Sequence, residues 1–232
     1  MKKLATILVA IALVALTASA AMAANQVRIS QVYGGGGASS GSPTWNQDYV
    51  ELFNSGGTAV DVSNWAVEYG SATGNWGSAT TNYFVIPAGT SIQPCSYLLI
   101  GGSVGTAGAA LSPAADFSVS PSTSLAMSAS NGKVGLFSSL NSNVACGSET
   151  GLVDKVAYGT GSCAEITAVA ALTTTTGAVR NNGGLTDTDN NSADFTVVTA
   201  PTPRNSHSTA NAACLATPTH NGTWGSLKSI YR

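Results

Sequence analysis

The chain has 232 residues, a net charge of −2 and only 9% charged residues, and Gly, Ser, Thr, Ala and Asn dominate it. That balance disfavours a helical bundle and favours a turn-rich β-protein. Beyond Lys3 the cations Arg28, Lys133, Lys155, Arg180, Arg204, Lys228 and Arg232 are scattered. Phosphate backbones are held by clustered cations, so nucleic acid is not expected as a partner.

The first element reads as an export signal. Lys2 and Lys3 precede the apolar run Leu4–Ala18, and Ala21-Met22-Ala23 is a small-x-small cleavage site, which puts the junction at Ala23–Ala24. Removing residues 1–23 leaves seven basic against eleven acidic residues. No later stretch is apolar enough to span a bilayer, so the mature chain is expected to be secreted or held at the cell surface.

Next comes VRISQVY, Val27–Tyr33, an alternating strand whose period slips once near Gln31. The loop Gly34–Asn46, GGGGASSGSPTWN, follows, with Trp45 near its end. It lacks the Gly-Lys-Ser/Thr of a phosphate loop. NQDYVELFN is a second strand, and AVDVSNWAVEYG is two strands around a corner at Ser63-Asn64, with Trp65 expected in the core. A polar loop, Gly70–Asn82, carries Trp76. YFVIP is closed by Pro87, and SYLLI, Asp116–Val119, KVGLFS and LVDKVAYG read as further strands. Ile166–Leu172 fits strand or loop, and FTVVT at Phe195–Thr199 closes the series. Eight to ten short strands between turn signals suit an antiparallel β-sandwich.

VRISQVYGGGG followed by NQDYVELFNSGGTAVDVSNWAVEY resembles the opening of a bacterial lamin-tail domain. The resemblance continues through IPAGTSIQPCSYLLI to TDTDNNSADF and PTPRNS, covering about residues 26–206. It implies an immunoglobulin-like β-sandwich that serves interaction rather than catalysis. It also implies a module found in secreted and surface proteins and in nuclear intermediate-filament tails, sometimes beside nucleases or phosphatases. The expected organisation is a signal at 1–23, a sandwich at 24–206, a flexible linker at 207–222 and an amphipathic tail at 223–232. In that tail Trp224, Leu227 and Tyr231 share helical spacing, which suits docking to a surface.

Cys95, Cys146, Cys163 and Cys214 form an even set in an exported chain, which suggests disulfides. Of three possible pairings the expected one joins Cys146 to Cys163 across a local excursion around LVDKVAYG. Cys95–Cys214 then ties the tail back. No C-x2-C element supports zinc. Gly101–Gly105 matches G-x-S-x-G, but Pro113 spoils a following helix and both histidines, His207 and His220, lie in the tail. Asp48 and Glu51 fall on opposite faces of one strand, so they are not an acid–base pair; loop backbone or Arg28 is their expected partner.

Asp187, Asp189, Asn191 and Asp194 are oxygen donors with the alternation that opens a Ca²⁺ loop. Ser192 and Val198 stand where an EF-hand needs Gly and Glu, so the alternatives are an isolated structural Ca²⁺ or a self-bonded Asx turn, with Asp187 or Asp194 pairing Arg180 at the surface. Trp45 and Trp76 are candidate stacking residues for a sugar, or else packing residues. The expectation is a non-catalytic extracellular module, without a required cofactor, that binds a protein or glycan. The alternative is an accessory domain of, or itself, a Ca²⁺-assisted secreted hydrolase acting on phosphoesters or polysaccharide.

Overall fold

The structure is a computed structural model and describes residues 26–78, 82–119 and 125–215. The expected signal, its Ala23–Ala24 junction and the amphipathic tail lie outside the described residues.

Six strands form the larger sheet: β1 (Val27–Tyr33), β2 (Gln47–Asn54), β7 (Tyr97–Val104), β8 (Phe117–Ser118), β11 (Thr176–Arg180) and β12 (Phe195–Thr199). Their spatial order is β12-β11-β1-β2-β7-β8. Four strands form the facing sheet: β4 (Ala66–Gly70), β5 (Tyr83–Val85), β9 (Gly132–Phe137) and β10 (Leu152–Tyr158), in the order β10-β9-β4-β5. A short pair, β3 (Val60–Asp61) and β6 (Ser91–Ile92), lies beside them. Between these named strands of the described residues, every pairing is antiparallel except that of β7 with β8. The chain is an immunoglobulin-like β-sandwich, as expected.

The core follows from strand alternation. Ile29, Val32, Val50 and Leu52 from one sheet meet Val67, Tyr69, Val134, Leu136, Val156 and Tyr158 from the other, all buried. Each such aliphatic side chain contributes roughly 1.5–3 kcal/mol by leaving water. The slip in β1 is a β-bulge. Ile29 pairs with Leu52 and Gln31 with Glu51, leaving Ser30 without a partner position on β2. Beyond the bulge Gln31 and Tyr33 face outward and Val32 inward. Asn64 takes a left-handed φ of 64° at the expected corner. Trp65 packs at the core margin, only partly buried.

Strand β11 was not expected, because TGAVR is short and contains Gly177. That glycine is required by close packing, since a Cβ there would stand 2.9 Å from the Val32 carbonyl oxygen and 2.9 Å from Pro201 Cγ. Ile166–Leu172 is loop, touching the sheet through a bridge between Tyr158 and Val169. Two single helical turns, α1 (Asn191–Asp194) and α2 (Ala212–Leu215), and a tight turn at Asn181–Gly184 in which Asn182 and Gly183 take φ of 53° and 67°, complete the described elements.

Both expected cysteine pairs come together. Cys95 and Cys214 have Cα atoms 5.6 Å apart, and Cys146 and Cys163 likewise 5.6 Å. The first pair holds the described part of the expected linker. Residues 207–215 lie on the sandwich: Asn211 N donates to the Cys95 carbonyl at 2.8 Å, and Asn211 Nδ2 reaches the Asn182 carbonyl at 3.0 Å. A composition rich in Ser, Asn and Ala supplies hydrogen bonds for docking as readily as it supplies solubility.

Candidate functional site

The outer face of the six-stranded sheet is covered by the segment from Ala200 to Leu215, and Arg204 anchors it. Its Nη2 lies 2.6 Å from Glu51 Oε1 and its backbone N–H donates to Glu51 Oε2 at 2.6 Å. Glu51 is fully buried in β2, where Ser30 Oγ donates to it at 2.5 Å and Gln31 Nε2 at 3.1 Å. Burial pushes the Glu51 carboxyl up, and Arg204 pulls it back down. The guanidinium also stacks on Tyr97, 3.8 Å from the ring centroid. Glu51 therefore has Arg204 as its partner, and not Arg28.

Beside this ion pair lies an open depression of about 410 Å³ lined by Tyr97, Asn182, Gly183, Arg204, Thr209 and Asn211. Tyr97 OH donates to the Gly183 carbonyl at 3.0 Å and accepts from Arg204 Nη1 at 2.7 Å. Its floor is thus a fixed array of donors and acceptors.

The glycine loop is pinned. Asp48, buried in β2, accepts from Gly36 N at 2.6 Å and Met127 N at 2.6 Å. Burial raises its carboxyl to about 7, against the pull of the Met127, Gly36 and Gly35 amides. Gly37, at φ 69°, lets the loop bridge to Ala107. Trp45 packs against Tyr33, Tyr49, Leu99 and Leu111, and its Nε1 donates to the Pro201 carbonyl at 2.9 Å. It works as a packing residue with one edge open, since its polar atom is already engaged.

Trp76 offers no stacking face. It is fully buried on the outer side of the four-stranded sheet, edge-on to Phe137 at 5.7 Å, with Nε1 donating to Glu149 Oε1 at 3.0 Å. Lys133, also buried, places its ammonium 5.3 Å from the Trp76 ring. Within the expected polar loop, Trp76 lies back on the sheet, because Gly135 leaves the indole room there. Trp45 and Trp76 therefore lie over different sheets and do not form one ligand face.

The Asp/Asn run is bonded mainly within the fold. Asp194 is buried and accepts from Thr188 N at 2.9 Å and from Asn190 N at 3.3 Å. Asn191 accepts from Ala157 N at 3.0 Å and donates to Glu165 Oε2 at 2.8 Å. Asp189 is exposed, and Asp187 pairs with Arg180 at 3.0 Å and Arg28 at 3.4 Å. Arg180 is completely buried, with Asp154 at 2.8 Å and Asp194 at 3.7 Å as well. The pairing expected at the surface is an interior network that joins the loop to β1, β10 and β11. Asp154, Glu165 and Asp187 each bring an oxygen within 4.8 Å of the others, with the Arg180 guanidinium bonded to two of them. Burial and Asp154 push Glu165 up to about 7.

Ser103 and His207 are the remaining candidate groups among the described residues. Ser103 lies within β7, and not on a strand-to-helix turn. His207 has a side chain 88% exposed, and its Nδ1 lies 3.2 Å from the neighbouring Ser206 Oγ, whose hydroxyl donates to Asp116 Oδ1 at 2.5 Å. Among the described residues no helix is long and apolar enough to cross a membrane. Sequence reasoning passed over Glu51–Arg204, Asp154–Arg180 and Lys133. The available signal was their rarity, since few charges in a chain of this composition are left to solvate its surface.

The family model described as Lamin Tail Domain matches residues 20–160. The crystal structure of a DUF4876 family protein from Bacteroides thetaiotaomicron superposes with a TM-score of 0.54 at 12% identity, over 81% of this chain and 75% of that one. At that identity the likeness concerns the fold alone, and it extends over more of this chain than the family match does. No curated protein matches the chain.

Proposed function

The chain belongs to the Lamin Tail Domain family, and from that premise we propose that it is an exported, non-catalytic recognition module that binds a glycan or protein partner at the cell surface. The observation that carries this reading is the depression beside Arg204. Its polar groups are fixed by bonds to one another, and none of them is a nucleophile with a base in reach. Fixed donors and acceptors in an open hollow favour hydroxyl-rich ligands, which makes a glycan the better-suited partner. Two disulfides support an oxidising compartment.

The test is retention of purified oxidised protein on the producing cells and on their isolated surface polysaccharide. Thr209→Trp, which fills the hollow from an exposed position, is expected to lower retention at least tenfold with an unchanged circular dichroism spectrum. Equal retention of both proteins refutes the site, and turnover of the polysaccharide refutes the non-catalytic reading.

A further inference from the structure

The two disulfides sit in opposite electrostatic surroundings. Cys214 Sγ lies 3.4 Å from the Ser55 carbonyl oxygen and Cys95 Sγ lies 3.7 Å from that of Gly56. Carbonyl oxygens disfavour a thiolate, and Cys95 is buried. At the other bond, Lys133 Nζ lies 3.6 Å from Cys146 Sγ. Ser162 Oγ accepts from Lys133 Nζ at 2.7 Å and stands 3.5 Å from Cys146 Sγ and 3.9 Å from Cys163 Sγ. The Gly74 carbonyl fixes the ammonium at 2.5 Å. Cys146 is exposed and Cys163 half-buried. One group opposes: a carboxylate oxygen of Glu149 lies within 4.8 Å of both sulfurs. It is turned toward Trp76 Nε1 and toward Gly147 N at 2.7 Å. Lys155 acts on Glu149 from further off.

We propose that Cys146–Cys163 is a thiol–disulfide exchange site for dithiols, with Lys133 and Ser162 stabilising Cys146 as the departing thiolate. A thiolate of the dithiol attacks Cys163 Sγ. A sulfur–sulfur bond forms there, the Cys146–Cys163 bond breaks, and its electron pair leaves on Cys146 Sγ beside the ammonium. The second sulfur of the dithiol, its proton lost to water, attacks the dithiol sulfur bound to Cys163. The dithiol closes to its own disulfide, and Cys163 leaves as a thiolate and takes a proton from water. The dithiol is oxidised by two electrons and the protein disulfide is reduced by two. The bond ties the segment that carries Val144 and Glu149, both bonded to Trp76, to Cys163, so its reduction releases that tie while Cys95–Cys214 stays closed.

The test treats the oxidised full chain with dithiothreitol at pH 7, quenches with an alkylating agent at intervals and reads each cysteine by peptide mass spectrometry. Cys146 and Cys163 are expected to label about tenfold faster than Cys95 and Cys214, because leaving-group stability sets the exchange rate. Lys133→Met is expected to slow that labelling about tenfold, and Glu149→Gln to speed it. Equal rates for the two disulfides overturn the proposal. So does a natively folded Lys133→Met that is reduced as fast as the parent. Where Lys133→Met does not fold, Glu149→Gln decides: acceleration supports the assignment and an unchanged rate overturns it.

Discussion

Replacing Arg204 by methionine keeps the length of the side chain and removes the guanidinium that faces Glu51. Glu51 is fully buried and loses the contacts at 2.6 Å and 3.3 Å, keeping Ser30 Oγ, Gln31 Nε2 and the residue-204 amide. Breaking a buried pair costs about 3–5 kcal/mol. Arg204 is partly open to solvent, with a side chain 24% exposed, and three donors remain, so the lower end applies, about 3 kcal/mol. For a domain of this size that corresponds to a fall in Tm of roughly 6–12 °C. The Cys95–Cys214 bond holds the segment in place, so the loss reports the charge and not detachment of the segment. Glu51→Gln combined with Arg204→Met removes the stranded charge and is expected to recover at least about 1 kcal/mol relative to additivity. Without the cation the Glu51 carboxyl rises further, so the single variant is destabilised more at pH 8 than at pH 5. Urea denaturation of oxidised protein at both pH values measures all of this. A loss below about 0.5 kcal/mol, or strict additivity in the double variant, refutes the reasoning.

Two further outcomes follow from the same interior. Asp48 has an ordinary value of 3.8 and a folded value of about 7, so the folded state holds the proton more tightly. Its contribution is fully present below pH 3.8 and is lost as pH rises through about 7. A Tm series from pH 4 to pH 8 is expected to descend, and Asp48→Asn to flatten the descent; an unchanged slope in the variant contradicts the assignment. Gly135→Ala puts a Cβ 2.7 Å from Phe137 Cε2 and 3.2 Å from Trp76 Cζ3. Thermal denaturation is expected to show a loss of about 1–3 kcal/mol from overpacking, and a neutral result contradicts the packing of Trp76 on that glycine.

Local pattern carried much of the fold. The slipped alternation in VRISQVY marked a bulge, FTVVT marked β12 to the residue, and the corner at Asn64 fell where Ser63-Asn64 placed it. What pattern missed were features set by distant partners. Strand β11 has too little side chain to show a period, because Pro201 and β1 crowd it. Trp76 reads as a loop aromatic until β9 supplies the surface it covers. Arg204 and Glu51 are 153 residues apart in sequence, and no spacing rule joins positions so distant. The acidic run was legible as a cluster, but its counter-ion Arg180 was visible only as one cation among several. The hollow beside Arg204 is built from three separate segments and left no linear trace.

The bulge at Ser30 works as a change of parity. Along β1 the even positions lie outside before Ser30 and the odd positions lie outside after it, so one strand serves two different layouts. Arg28 reaches the acidic network, while Gln31 and Tyr33 furnish the floor on which Glu51, Tyr49 and Trp45 assemble. A strand of strict period would send Gln31 into the apolar interior and Val32 out among the polar groups. The single supernumerary serine therefore allows an unbroken hydrophobic interior and a separately wired polar exterior to share one backbone.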